Sequence, residues 1–185
     1  MEIAVRHAVA EDAAAVHEIF LQDHVLAGTQ RLPWAAPDYV QKRIAAEPGT
    51  IKLVAEVPEG TGGKVVGFAE LITFPDNPRH RHAGEVNMIV THADWQGKGI
   101  GRRLMDAMVD LADNWLQLTR LGLLVWTHNA HAIRLYEGYG FQREGVMPAY
   151  AFFKGGYVDG QLMGRLKPGS RDAAAHAVAG SSVTV

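Results

Sequence analysis

The densest chemistry in this chain lies in Gln96-Gly97-Lys98-Gly99-Ile100-Gly101-Arg102, directly after the apolar run Val86-Asn87-Met88-Ile89-Val90-Thr91. Glycine at every second position between a strand and a helix leaves main-chain N–H groups open to a ligand. The first N–H groups of a helix have no intrahelical partner, and the helix dipole favours negative charge beside them. Glycines there let phosphate oxygens reach the main chain without meeting a Cβ. An anion site is therefore expected, although the pattern does not say which anion. A P-loop needs Ser or Thr after its Gly-Lys, and Lys98 is followed by Gly99. A dinucleotide fingerprint needs a third glycine where Arg102 stands. A tight turn with no ligand is the plainer alternative.

Other residues could move protons. Tyr136 carries a phenol that stays protonated at neutral pH. Glu70 and Glu85 are carboxylates in otherwise apolar strands, which makes them candidate general bases beside His92 and His128. His80-x-His82 and His128-x-x-His131 have the spacing of metal pairs but lack a third ligand at a characteristic distance, so no metal is expected. Asn129 stands just before a helical stretch, where its side chain suits an N-cap.

These residues need a scaffold. A strand is expected at Ile3–Arg6 and a helix over Glu11–Gln22, followed by an irregular stretch, Ala27–Pro37. A second helix covers Asp38–Glu47, stopped by Pro48-Gly49. Strands Ile51–Val57 and Lys64–Phe74 flank a glycine-rich turn and read as a hairpin. A strand at Glu85–His92 runs into the glycine loop. The long helix after it places Ile100, Leu104, Met108, Leu111, Trp115 and Leu118 on one apolar stripe. Strand Leu121–Thr127, helix Ala130–Glu137 and strands Phe141–Gly145 and Val158–Leu166 complete the order. Strands alternating with helices predict an α/β layer around a mixed sheet, with strand–loop–helix–strand at its centre forming a βαβ crossover.

The 185 residues suffice for one domain, expected at residues 1–168, with 169–185 as a flexible C-terminal tail rich in Ala, Ser and Gly. A net charge of −2 offers no field to hold nucleic acid or an anionic membrane. The absence of cysteine excludes disulfides, zinc thiolates and a thiol nucleophile. The opening residues lack a basic stretch followed by an apolar one, and no apolar run approaches the ~20 residues of a membrane span. A cytoplasmic protein is expected.

Gln96-x-x-Gly99-x-Gly101 after an apolar strand resembles the acetyl-CoA motif of the GCN5-related N-acetyltransferase superfamily. Asn129-x-x-Ala132-x-x-Leu135-Tyr136-x-x-x-Gly140-Phe141 resembles that superfamily's second signature, in the expected order and at the expected separation. The resemblance spans Ile3–Lys167 and departs at Ala93, where the family often has Pro. It implies an α+β fold: a mixed, mostly antiparallel sheet of six to seven strands with about four helices on its two faces. It also implies acetyl-CoA as cosubstrate. Main-chain groups of Ile89, Val90 and Thr91 would pair with the pantetheine arm, and a backbone N–H of that strand would meet the oxyanion. Amides from Gln96, Gly97, Lys98, Gly99, Ile100, Gly101 and Arg102 would hold the pyrophosphate. Asn129 would touch the cofactor, and Tyr136 would protonate the leaving thiolate.

Outside those signatures the chain is similar to the bacterial L-amino-acid N-acetyltransferase branch. This implies a homodimer and, as acceptor, the α-amine of a small molecule, with Arg31, Trp34 and Tyr150 at the acceptor pocket and Phe152 nearby. Acetylation of a protein N-terminus or lysine, a polyamine or an amine-bearing antibiotic or toxin are the rival acceptors. A non-catalytic acetyl-CoA-binding module is the rival of another class.

Overall fold

The computed structural model describes residues 2–170; the expected tail from Arg171 onward lies outside them. The chain runs β1 (Ala4–His7), α1 (Ala13–Phe20), α2 (Asp23–Gly28), α3 (Pro37–Ile44), β2 (Thr50–Glu59), β3 (Gly62–Thr73), β4 (Ala83–Thr91), α4 (Ile100–Asp110), β5 (Arg120–Trp126), α5 (Ala130–Gly138), β6 (Gln142–Phe153) and β7 (Gly156–Leu166). All seven strands join one sheet in the order β1-β2-β3-β4-β5-β7-β6. Among the described residues only β4 and β5 run parallel, which a connection through a helix permits and a tight hairpin does not.

Apolar periodicity explains the two layers on this sheet. Ile100, Leu104, Met105 and Met108 of α4 are fully buried against β2, β3 and β4, with Ile133 and Tyr136 of α5 in the same core. Gly67 of β3 lets α4 approach, since a Cβ there would stand 2.7 Å from the Ile100 Cγ2. On the opposite face Val16, Ile19 and Phe20 of α1 meet Val40 and Ile44 of α3 over Val54 and Phe68. The Phe20 and Phe68 rings meet edge to face at 5.4 Å.

Three expectations need correction. The long helix does not carry one unbroken stripe to Leu118. Leu111–Trp115 forms a π turn, closed by Leu116 N–H on Leu111 O at 2.9 Å. The wider turn rotates the helix surface, so Trp115 is 74% exposed instead of buried, with its indole N–H donating to Asp110 at 3.1 Å. The same turn delivers Asp113 to Arg165 as a two-bonded ion pair at 2.8 and 2.6 Å.

The first closing strand also runs far beyond the expected Phe141–Gly145, while the second begins only two residues before Val158. Pro148 and Ala149, the latter at φ 51°, sit in an irregularity between Met147 and Ala151 that interrupts the alternation of β6. Asp159 of β7 accepts the Ala149 N–H at 2.7 Å and holds the two strands through the interruption. Finally, α2 makes a fifth helix from residues 23–26, which no expected element covered, and the first two residues of the expected irregular stretch.

Candidate functional site

The sheet is split at its centre. β4 pairs with β3 from Gly84 to Thr91 but with β5 only at Ala83, Gly84 and Glu85. Beyond Glu85 the two parallel strands diverge and leave two strand edges facing a gap. The cause lies in β4: Glu70 opposes Met88 while Leu71 opposes Val86, so Asn87 is an extra residue that bends the strand. The Asn87 amide donates to Glu70 Oε1, which also accepts from Arg43 Nη2 of α3 at 2.7 Å. The His92 N–H bonds Val66 O at 2.8 Å. Alternation along the strand then turns the main chain of Val90 toward β3 and that of Ile89 and Thr91 into the gap. Of the three residues expected to offer main-chain groups to a ligand, Val90 is thus engaged in the sheet.

The glycine loop stands at the end of this gap. Gly97 and Gly99 have φ of 72° and 88°, a region that disfavours side chains. Gly99 is the N-cap of α4 and supplies no side chain to cap it. Arg103 is the first residue whose N–H is satisfied by the turn, on Gly99 O at 3.0 Å. The N–H groups of Ile100, Gly101 and Arg102 are left for a ligand. Gly101 is not at positive φ, and a Cβ there would meet only the Leu135 Cδ2 at 3.6 Å and the Thr91 Oγ1 at 4.0 Å, ordinary contact distances. The fold does not require glycine at this position, whereas an anion close to the helix terminus does. His92 steadies the loop by accepting the Asp94 N–H on Nδ1 at 3.2 Å, and Lys98 Nζ lies 4.5 Å from the centre of the Trp95 ring.

Asn129 caps α5, its side-chain oxygen accepting the Ala132 N–H at 3.1 Å. About two turns later Tyr136 lies in the α4–α5 core, its ring 6.0 Å from that of Phe141. Burial pushes its phenol up to about 12, so it is a proton donor at every physiological pH. Tyr139 links α5 to α4 by donating to Arg102 O at 2.9 Å and to Asp106.

A cavity of about 1120 Å³ opens between the α2–α3 loop, β4, β5 and the β6–β7 hairpin. Arg31, Trp34, Glu85 and Tyr150 line it; Glu70 does not. The Arg31 guanidinium lies 3.5 Å from the centre of the Phe20 ring and 5.5 Å from that of Tyr39, with Nη2 3.4 Å from Met88 Sδ. Its Nε is buried without a hydrogen-bond partner, and it forms no ion pair among the described residues. Burial and the neighbouring Arg43 charge lower its pKa to about 10, which leaves it cationic at neutral pH. Tyr150 is partly exposed, its ring 6.1 Å from that of the buried Trp126. Trp34 is 91% exposed, so it stands at the mouth and has no place in the core. A smaller space of about 310 Å³ between Leu32, Trp126, Tyr150 and Phe152 shares Arg31 with the large one.

Sequence reasoning did not single out Tyr39, Arg43, Met88 or Trp126, whose neighbourhood is made only by folding. Asn87 carried a signal as an amide inside an apolar strand. Among the described residues no group of three or more His, Asp or Glu is placed to hold a metal ion, which leaves both histidine pairs without further ligands.

The family model described as Acetyltransferase (GNAT) family matches residues 13–141. The chain is 36% identical over 166 residues to the L-amino acid N-acetyltransferase AaaT of Escherichia coli (strain K12), covering 90% of this chain and 99% of that one. It is 34% identical over 87 residues to the spermine/spermidine N(1)-acetyltransferase of Bacillus subtilis (strain 168), covering 46% of this chain and 57% of that one. In fold it is like a GNAT superfamily phosphinothricin acetyltransferase from Sinorhizobium meliloti, whose crystal structure is a complex with AcCoA; the TM-score is 0.78 over 92% of each chain at 24% identity. The chain belongs to the acetyltransferase (GNAT) family and is an acetyl-CoA-dependent N-acetyltransferase.

Proposed function

We propose that the acceptor is the α-amino group of a free amino acid whose carboxylate binds Arg31. The observation that carries this reading is the Arg31 guanidinium: it is stacked on Phe20, has no acidic partner and lines the cavity beside the split in the sheet. A half-buried cation without an anion is costly to keep, and a substrate carboxylate taking two parallel N–H bonds would offset that cost. Trp126, Tyr150 and Phe152 suit an apolar side chain on the same substrate. The relative AaaT, an L-amino acid N-acetyltransferase by name, supports the same class. A polyamine, by contrast, would bring positive charge toward Arg31 and Arg43.

In this reading the gap between β4 and β5 takes the pantetheine arm along the main chain of Ile89 and Thr91, and the N–H groups from Gln96 to Arg102 take the pyrophosphate. The neutral amine attacks the thioester carbonyl, and its new C–N bond forms as the carbonyl oxygen gains charge beside a β4 N–H. Collapse breaks the C–S bond, and the sulfur receives the Tyr136 proton. Glu85, exposed into the cavity, takes the proton from the amine directly or through water. Glu70 instead ties Arg43 of α3 to Asn87 of β4 and acts on the site only by holding it.

A homodimer working in the cytoplasm belongs to the same reading. Exposed Phe152 and Tyr157 on the hairpin, 67% and 72% accessible, favour self-association, which sedimentation would test.

A thiol-release assay with acetyl-CoA tests the acceptor. Free apolar amino acids should lead a panel that includes their amides, polyamines, peptides and aminated antibiotics. Faster turnover of amides or polyamines than of free amino acids would refute the carboxylate contact. Cofactor binding without turnover of any amine would favour a binding module.

A further inference from the structure

The short helix α2 touches both halves of the site. At its start the Gln22 Oε1 accepts the Ala93 N–H at 2.8 Å, at the head of the glycine loop. One residue inside the helix, His24 Nε2 lies 2.9 Å from the Thr91 carbonyl oxygen. At its end Gly28 comes within reach of Asn129, since a Cβ on Gly28 would stand 3.9 Å from the Asn129 amide nitrogen. The Thr29 hydroxyl then turns back to Val25 O at 2.7 Å, and the chain enters the loop that carries Arg31 and Trp34. A six-residue helix has little stability of its own, so these contacts fix its position.

We propose that His24 is a positioning residue that couples the cofactor strand to the acceptor pocket. Nε2 donates its proton to Thr91 O, one of the two main-chain acceptors that β4 turns into the gap. A carbonyl oxygen has a second lone pair, so a pantetheine amide can bond the same atom while His24 stays in place. Filling the gap fixes Thr91, Thr91 fixes His24, and α2 then holds Arg31 at its distance from the reacting amine. The coupling is reciprocal: a bound acceptor that settles the Arg31 loop also settles the cofactor edge.

This inference rests on the reading of the Arg31 cavity as the acceptor site, and its test separates the two. His24→Ala, His24→Gln and Arg31→Met would be compared using the best acceptor of the amine panel, with acceptor binding measured calorimetrically with and without CoA. For His24→Ala we expect the acceptor KM to rise about tenfold, within the usual range of coupling between sites, while kcat at saturation changes far less. CoA should tighten acceptor binding to the wild type and lose that effect in His24→Ala. His24→Gln, which retains an N–H donor of similar reach, should recover most of it. An unchanged acceptor KM in His24→Ala would overturn the proposal, as would a CoA effect equal to that of the wild type. If Arg31→Met leaves the acceptor KM unchanged, the acceptor reading fails as well, whatever His24 does.

Discussion

The two halves of the site are built from different materials. In the proposed reading the cofactor half is main chain: the Ile89 and Thr91 edge of β4 and the open N–H groups at the start of α4, kept accessible by Gly97, Gly99 and Gly101. The acceptor half proposed above is side chain: Arg31 on Phe20, with Tyr39, Met88, Trp126 and Tyr150, brought from six separate segments. Main-chain groups are identical in every residue, so the first half can keep one ligand through most side-chain changes, provided its glycines stay. The second half can change ligand with a single substitution. One chemistry and a changeable acceptor can therefore share one sheet.

The sharpest test of this division is Tyr136→Phe, which keeps the ring and removes only the proton donor. We expect kcat to fall about ten- to a thousandfold with little change in acetyl-CoA affinity. A wild-type kcat would reduce Tyr136 to packing against Phe141. Burial raises the folded-state pKa to about 12. The stability linked to this group is complete below the unfolded value of about 10 and is lost as pH rises through about 12. Alkaline unfolding of Tyr136→Phe should therefore lack that component.

Arg31→Met comes next. It should raise KM for a free amino acid about ten- to a hundredfold, the usual worth of a charged hydrogen bond, and leave acetyl-CoA binding alone. It should also raise Tm, because the guanidinium is desolvated and its buried Nε has no hydrogen-bond partner. A variant that loses both affinity and stability would show that the guanidinium serves the fold.

Gly101→Val probes the other half. It should weaken acetyl-CoA binding by about tenfold, roughly one charge-assisted contact, with the fold intact. Unchanged affinity in calorimetry would place the anion elsewhere. Gly99→Val is the poorer probe because φ is 88° there and the side chain would strain the turn itself.

Trp34→Ala should have the smallest effect. A side chain 91% exposed has little contact to lose, so KM for an apolar amino acid should rise only about threefold, and folding should not change. A larger rise would mean that the loop folds over the bound acceptor.

The same division explains what the sequence disclosed. A main-chain site announces itself through glycine spacing, so Gln96–Arg102 and the order of its flanking elements were legible, as was the capping of α5 by Asn129. A side-chain site gives no such local mark. Arg31 is legible as a cation near aromatic residues, but its lack of an ion pair depends on where α1 and α3 pack. Glu70 and Glu85 look alike in sequence; only the β4 bulge separates a carboxylate held by Arg43 and Asn87 from one that faces the cavity. Trp115 fits the apolar stripe by its spacing, and a single π turn, which no residue type demands, carries it to the surface. The strand expected to end at Gly145 runs on to Phe153; Pro148 breaks the alternation of residues 146–153, yet cross-strand bonds to β7 hold them as strand.

The divergence of β4 from β5 also bears on how the protein must be handled. Sheets normally keep unpaired strand edges at their margins, where charge, proline or brevity discourages docking by other chains. Here two such edges face each other in the middle of the sheet, joined only at Ala83, Gly84 and Glu85. In the proposed reading the pantetheine arm serves as a plug as well as a carrier of acetyl groups. Stripped of CoA, concentrated protein offers a template on which the strand of another molecule can pair, so aggregation on storage should track cofactor depletion. CoA in the purification buffer should suppress it more than its effect on Tm alone accounts for.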